Sequence, residues 1–186
     1  FLNTTTKLMI PFACAGILGF TMPEILGSGH SVIEWLTGGE GVMLHMVLII
    51  LISKFIFSAV CFGSGAPGGI FFPLLVLGGC IGGAFGLISV KYFGLDAMYV
   101  NNIVLLSMAG YFTAIVRAPL TGIILIFEMT GSVSQMLSLT LVSIVAYITA
   151  TLLRSKPIYE SLLERLLRKQ GEAVPENHGQ KVLADF

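Results

Sequence analysis

Charged side chains are scarce in this sequence, and their distribution is uneven. Only 11% of the 186 residues are Asp, Glu, Lys or Arg, whereas a soluble domain carries about 25%. Residues 1–153 hold nine of these side chains, and residues 154–186 hold the other eleven. A stretch as apolar as residues 1–153 cannot present a wetted surface on every side. We therefore expect this part of the chain to lie in a lipid bilayer.

Clusters of reactive side chains are missing as well. The three cysteines, Cys14, Cys61 and Cys80, lie in apolar runs without CxxC spacing, which is typical of buried free thiols rather than of a disulfide or metal site. The sequence shows no nucleophile–base pair, phosphate loop or metal-ligand cluster, so we expect no enzymatic activity, no metal and no cofactor. The formal net charge of zero gives no indication of a nucleic-acid partner.

Apolar runs of unequal length follow one another along the chain. At about 1.5 Å per residue, four of them are long enough to cross a bilayer of about 30 Å. These long runs are residues 41–62, 70–90, 98–116 and 134–153. Shorter helices are predicted at residues 8–20, 31–36 and 119–129. Short helices at membrane depth end against protein or a watery cavity, and transporters use such ends to hold ions. The sequence therefore predicts an all-α integral membrane protein with tilted and re-entrant helices.

The last part of the chain is more polar. Between residues 158 and 169, leucines and a tyrosine share one helical face and charges fill the other, which is typical of an amphipathic helix at the membrane. Basic residues outnumber acidic ones here, so we expect this end to be cytoplasmic. We assign residues 1–153 to a membrane domain, 154–170 to the amphipathic helix and 171–186 to the start of a cytoplasmic tail.

The segment Gly63–Gly69, here named the glycine-proline elbow, stands before a long apolar run. Five of its seven residues are Gly or Pro, which ends the preceding helix and lets the backbone approach a ligand closely. The helix that begins near Ile70 has free N–H groups in its first turn and a dipole charge of roughly +0.5 at that end. Such an end attracts an anion without a full positive charge, which favours release as well as binding. We favour an anion site here over an ordinary loop.

Three motifs resemble those of the CLC chloride channel and transporter family. Residues 69–73, Gly-Ile-Phe-Phe-Pro, resemble the family's G-I-F-x-P signature. Residues 117–122, Arg-Ala-Pro-Leu-Thr-Gly, followed by Glu-Met-Thr at 128–130, look like the family's next helix. Residues 156–159, Lys-Pro-Ile-Tyr, resemble the start of its last membrane helix. The three motifs stand in the family's order, and the resemblance covers roughly residues 41–169.

The resemblance implies specific site residues. The backbone N–H groups of Ile70 and Phe71, after Gly69, are expected to bind a central anion, and the Tyr159 hydroxyl is expected to donate to the same ion. A phenol is a neutral donor with an apolar body, which suits a dehydrated halide. For Tyr159 the alternative is an interfacial aromatic anchor. Lys54, inside the first long run, either raises the local potential for anions or snorkels or pairs structurally.

The resemblance also implies that the chain is the second half of an inverted repeat. The first seven residues show neither an initiating methionine nor a signal-peptide pattern, so we expect an N-terminal half elsewhere in the protein. That half would carry a serine ligand and the gating and proton-transfer glutamates. Helices near 119–129 and 134–153 are expected to form a homodimer interface.

The function that the resemblance implies is chloride transport, by a channel or a chloride/proton antiporter, in a plasma (inner) membrane. Two alternatives stay open: a non-conducting fragment for assembly or dimerisation, and a transporter for another anion.

Two other patterns have structural explanations. Gly78, Gly82 and Gly86 recur every four residues, which predicts close packing against another helix. Glu128 lies near the end of the short helix predicted at 119–129, where a carboxylate opposes the helix dipole. We therefore expect Glu128 to have a structural donor partner, with proton transfer as the alternative.

Overall fold

The computed structural model describes residues 4–38, 41–65, 68–131 and 133–170. Eight α-helices lie in these ranges, joined by short turns and single-turn 3₁₀ segments, and no strand occurs in them. The helices are α1 Thr4–Thr21, α2 His30–Gly38, α3 Leu44–Ser64, α4 Phe71–Phe93, α5 Val100–Val116, α6 Pro119–Thr130, α7 Met136–Leu152 and α8 Ile158–Gln170. The predicted all-α class and the unequal helix lengths are therefore confirmed.

Helix ends differ from the sequence prediction by a few residues. The helix α1 begins at Thr4 and not at residue 8, so Pro11 lies inside the helix and not in its first turn. Proline has no N–H, and one intrahelical hydrogen bond of α1 is therefore absent. The helix α3 begins at Leu44 and not at residue 41, since Gly41 has a left-handed φ of +70° and Met43 is extended. By contrast, α6 begins at Pro119 as predicted, since its missing N–H has no intrahelical acceptor at that position.

In the described part of the chain, four helical segments are long and apolar enough to cross a membrane. They are Leu44–Ser64, Phe71–Phe93, Ala97–Val116 and Val133–Leu152. The second segment is 61% buried inside the protein and the fourth only 11%. The helix α4 is therefore central, and α7 is peripheral.

Packing between α4 and α5 uses the predicted glycine face. A Cβ atom added at Gly82 would lie 2.6 Å from Ser107 Cβ and 2.9 Å from the Ile103 carbonyl oxygen. One added at Gly78 would lie 3.0 Å from the Met108 Cα atom. The two helix backbones approach this closely because the glycines leave no side chain between them.

The buried core surrounds this helix pair. Buried residues from α2, α3 and α7 pack against it, among them Leu36, Val47 and Leu139. Large apolar side chains point outward from the peripheral helices, including Phe12 and Phe20 of α1 and Leu152 of α7, each more than three quarters exposed. Faces of this kind are stable against lipid or another protein and not against water.

Candidate anion site

The glycine-proline elbow begins within α3, because Gly63 and Ser64 are the last two residues of that helix, two residues beyond the predicted end at residue 62. Gly65 closes α3 in a left-handed conformation with φ of +80°, and its N–H donates to the Phe62 carbonyl at 3.3 Å. This conformation favours glycine because other residues place Cβ against the following carbonyl. Residues 66 and 67 of the elbow lie outside the described residues.

The start of α4 lies where the sequence predicts it. Phe71 is the first helical residue, and the Ile70 carbonyl accepts from the Leu74 N–H at 3.3 Å. The N–H groups of Ile70, Phe71 and Phe72 therefore precede the first intrahelical hydrogen bond. Pro73, in the same turn, contributes no N–H. The helix thus begins with a short set of outward-pointing donors at the positive end of its dipole.

Aromatic contacts hold this helix start against α5. The Phe71 ring lies edge-on to the Phe112 ring, with ring centroids 5.1 Å apart, and it also meets the Phe72 ring at 5.4 Å. Phe112 is almost completely buried. These contacts fix the Phe71 backbone relative to the helix core, which a preorganised binding site requires.

Lys54 is buried on α3, with 1% of its surface exposed. Its Nζ atom donates to the Ile25 carbonyl at 2.7 Å and to the Gly27 carbonyl at 3.0 Å. The ammonium group therefore does not snorkel to a surface. It binds the turn between α1 and α2, and among the described residues it has no carboxylate partner.

A cavity of about 380 Å³ brings Lys54 and the elbow together. Its walls come from α1, α3, the turn at Gly27 and the residues before and within the first turn of α4. The polar or flexible residues on these walls are Lys54, Ser58, Ser64, Gly68 and Gly69. Gly68 and Gly69 are exposed, with no other atom within 4 Å of the place where a Cβ would lie. The elbow backbone is therefore open to a ligand of the cavity.

Tyr159 lies apart from this cavity. It is the second residue of α8, it is 58% exposed, and its hydroxyl makes no hydrogen bond within the described residues. The helix α8 contacts α5. Phe71 lines a second cavity of about 320 Å³ with Phe72, Ser28 and His30. Lys54 and Gly69 thus line the same cavity, and Tyr159 lines neither of the two cavities.

Arg117, in the turn between α5 and α6, makes long-range contacts that the sequence did not predict. Its guanidinium reaches α7 and the segment after it, and Glu128 is exposed without a hydrogen bond or ion pair in the described ranges. The expected structural partner of Glu128 is therefore absent there. The sequence did carry a signal for the Arg117 contacts. An isolated arginine in an apolar stretch needs polar partners at membrane depth.

Long apolar helices around the buried α4–α5 pair, with a helix start that follows a glycine-rich turn, define an integral membrane protein. Comparison with known proteins makes this class specific. The family model for the voltage gated chloride channel matches residues 1–151. The chain belongs to this family, and the predicted membership is confirmed.

Curated relatives and a solved structure agree with this membership. The chain is 41% identical over 157 residues to the H(+)/Cl(-) exchange transporter ClcA of Vibrio cholerae serotype O1, strains M66-2 and ATCC 39315. That alignment covers 84% of this chain and 33% of the relative, so the chain spans about a third of the relative's length. The X-ray structure of a slow cyanobacterial Cl⁻/H⁺ antiporter matches with a TM-score of 0.64 and 33% identity, over 72% of this chain and 31% of that one.

Proposed function

We propose that the chain transports chloride across a membrane as part of a CLC-type channel or chloride/proton antiporter. The observation that carries the proposal is the start of α4, where the N–H groups of Ile70 and Phe71 follow the open backbone of Gly68 and Gly69. Family membership and relatives named as exchange transporters support it. No covalent chemistry, metal or cofactor is part of the proposal.

The proposed anion ligands are neutral donors, with a cation nearby. Ile70 and Phe71 supply backbone N–H groups, Gly69 lets the ion approach, and Tyr159 supplies its hydroxyl. Dipoles hold an ion less tightly than a full charge does, which permits fast release. Lys54 raises the electrostatic potential of the cavity that it shares with Gly69. Because its ammonium is already bound to two carbonyls, we assign it this long-range effect and not direct coordination.

A second set of helices completes the pathway in this proposal. The chain spans about a third of the ClcA relatives, and Tyr159 and the elbow both retain exposed surface. The missing N-terminal half expected from the sequence would cover that surface and supply the remaining ligands. We further propose a homodimer through α6 and α7, supported by outward apolar residues such as Leu120 and Leu137, both 72% exposed.

The transport experiment uses the complete reading frame that encodes this chain, reconstituted in chloride-loaded liposomes. Chloride efflux and external pH are recorded together for wild type, Tyr159→Ala and the control Tyr92→Ala, since Tyr92 is an exposed residue in the last turn of α4. We expect efflux that Tyr159→Ala alters and Tyr92→Ala does not. Coupled proton uptake would identify an antiporter, and efflux without it a channel.

The same preparation distinguishes the alternatives. Dimers without any chloride flux would contradict transport and favour a non-conducting assembly unit. Flux of an organic anion that chloride does not compete with would favour a transporter for another anion.

A further inference from the structure

Arg117 occupies an unusual backbone position between α5 and α6. It has φ of +64°, and its N–H donates to the Thr113 carbonyl at 2.9 Å, which ends α5. A non-glycine residue in the left-handed region is uncommon and costs conformational energy. A residue keeps such a conformation only where the surrounding structure holds it, and the contacts of the Arg117 side chain do so here.

The guanidinium of Arg117 binds the end of α7. One terminal nitrogen donates to the Tyr147 carbonyl at 3.1 Å and to the Thr151 hydroxyl at 2.5 Å. The other donates to the Ala150 carbonyl at 2.6 Å. The last carbonyls of a helix lack intrahelical donors, and a positive charge there also complements the helix dipole. A planar guanidinium serves several such acceptors at once, which a lysine ammonium does not do with the same geometry.

The same guanidinium also reaches beyond α7. Its second terminal nitrogen donates to the Ser155 carbonyl at 2.7 Å. Ser155 is the middle residue of the linker 153–157, which joins α7 to α8. Past this point, Lys156 forms an ion pair with Glu164 of α8 at 2.6 Å. Arg117 therefore ties the linker, and with it the start of α8, to the α5–α6 turn, while the half-exposed ion pair of Lys156 is a weaker second contact.

We propose that Arg117 is a positioning residue for α8. By holding the Ser155 carbonyl it determines where α8 begins, and Tyr159 is the second residue of that helix. The hydroxyl proposed above as an anion ligand thus depends on a side chain far away in the sequence. This inference rests on the proposed function for its effect on chloride, and on geometry alone for its effect on α8.

The first test measures the position of α8 directly. The complete protein carries spin labels at Ser161→Cys on α8 and Met98→Cys before α5, both exposed sites, with the native cysteines replaced. We expect a narrow distance distribution that Arg117→Lys broadens or shifts. The control Arg165→Lys, a conservative change of an exposed arginine on α8, leaves the distribution unchanged. An unchanged distribution in Arg117→Lys would overturn the inference, whatever chloride does.

The second test measures chloride affinity by titration calorimetry in a double-mutant cycle. We expect Tyr159→Phe and Arg117→Lys each to weaken chloride binding on the order of tenfold, because each removes the same hydrogen bond to the ion. The double variant should then be no weaker than the single ones. If the losses of chloride affinity add up in the double variant, Arg117 does not act by positioning Tyr159. Absence of chloride binding in wild type would overturn the proposed function instead, and the label distances would still decide the role of Arg117.

A third variant covers the case in which Arg117→Lys does not fold. Lys156→Gln removes only the half-exposed ion pair with Glu164 and leaves the Arg117 contact with Ser155. We expect its distance distribution to stay narrow. A mobile α8 in this variant, with Arg117 intact, would overturn the inference.

Discussion

Two cations, Lys54 and Arg117, make most of the side-chain hydrogen bonds between distant parts of the described chain, beside the contact of Gln135 with Asn102. Lys54 binds the turn between α1 and α2, and Arg117 binds the end of α7, in both cases through backbone carbonyls. A carbonyl at the end of a helix or in a turn keeps unused acceptor capacity, so a cation that donates to it in an apolar surrounding satisfies both groups. In the described residues, carboxylates play no part in these two contacts.

Removal of the Lys54 ammonium is expected to destabilise the turn that it binds. Lys54→Met leaves the Ile25 and Gly27 carbonyls without their donor, at a cost of about 1–3 kcal/mol for each unsatisfied group. We expect a lower free energy of unfolding in detergent and faster hydrogen exchange around residues 25–29. Lys91→Met, at an exposed lysine of α4, is the control. Equal stability of both variants would contradict the structural role of Lys54.

At the scale of single helices, the glycine face of α4 decides how closely α5 approaches. The contact depends on the absence of side chains at positions such as Gly82, where an added Cβ meets Ser107 Cβ at 2.6 Å. Real Cβ atoms do not approach so closely, so the two helices would have to separate. This spacing also sets the position of Phe71 against Phe112.

Gly82→Ala is therefore expected to destabilise the protein by about 1–3 kcal/mol through overpacking. Gly16→Ala is the matched control, because Gly16 is a helical glycine with no atom within 4 Å of the added Cβ, and alanine there is neutral or stabilising. Thermal unfolding in one detergent measures both. A destabilisation in Gly16→Ala as large as that in Gly82→Ala would show that the effect is not specific to the α4–α5 contact.

The outward faces of α6 and α7 allow a test of the proposed dimer. In a two-fold dimer, residues near the symmetry axis meet their own copies. Single cysteines at Leu120, Leu137 and Leu141, in a background without native cysteines, are expected to include a pair that cross-links on oxidation in the membrane. Phe20→Cys on α1, at a residue that is 96% exposed, is expected to stay uncross-linked. Cross-linking at Phe20 alone would place the interface on α1.

At the scale of the whole molecule, a buried helix pair is surrounded by apolar outward faces, and the charged residues collect near α8. Arg154, Lys156 and Arg165 lie in or before this helix. Basic residues near membrane helices favour the cytoplasmic side. We therefore predict that α8 lies on the cytoplasmic side. The location in the plasma membrane is a separate prediction about the complete protein.

The orientation is testable with one cysteine at Ser161 in the cysteine-free protein. We expect a membrane-impermeant maleimide to label it in inverted membrane vesicles and not in intact cells. A cysteine at Met98, before α5 and 68% exposed, serves as the comparison site at the other end of a membrane-length helix. Labelling of Ser161→Cys in intact cells would contradict a cytoplasmic α8.

Local chemistry made much of the fold predictable. Glycine and proline mark helix boundaries, as at Gly65 after the end of α3 and Pro119 at the start of α6, and the long apolar runs correspond to the membrane-length helices. The start of α4 at Phe71 followed from the elbow, because a run of Gly and Pro cannot continue a helix. The interior position of Pro11 was not predictable, since the helix extends upstream through residues without an apolar pattern.

Tertiary structure alone decided which of these elements meet. The sequence is compatible with several roles for Lys54 and predicts a structural partner for Glu128. In the folded chain, Lys54 binds two turn carbonyls and Arg117 binds α7. All of these partners but the Thr151 hydroxyl are backbone carbonyls, which every residue carries, so side-chain type does not distinguish them. The sequence by itself determined the helices, the elbow and the family resemblance, because these depend on local residue chemistry. The shared cavity of Lys54 and Gly69 and the hold of Arg117 on the α7–α8 linker depend on contacts between residues far apart in the chain.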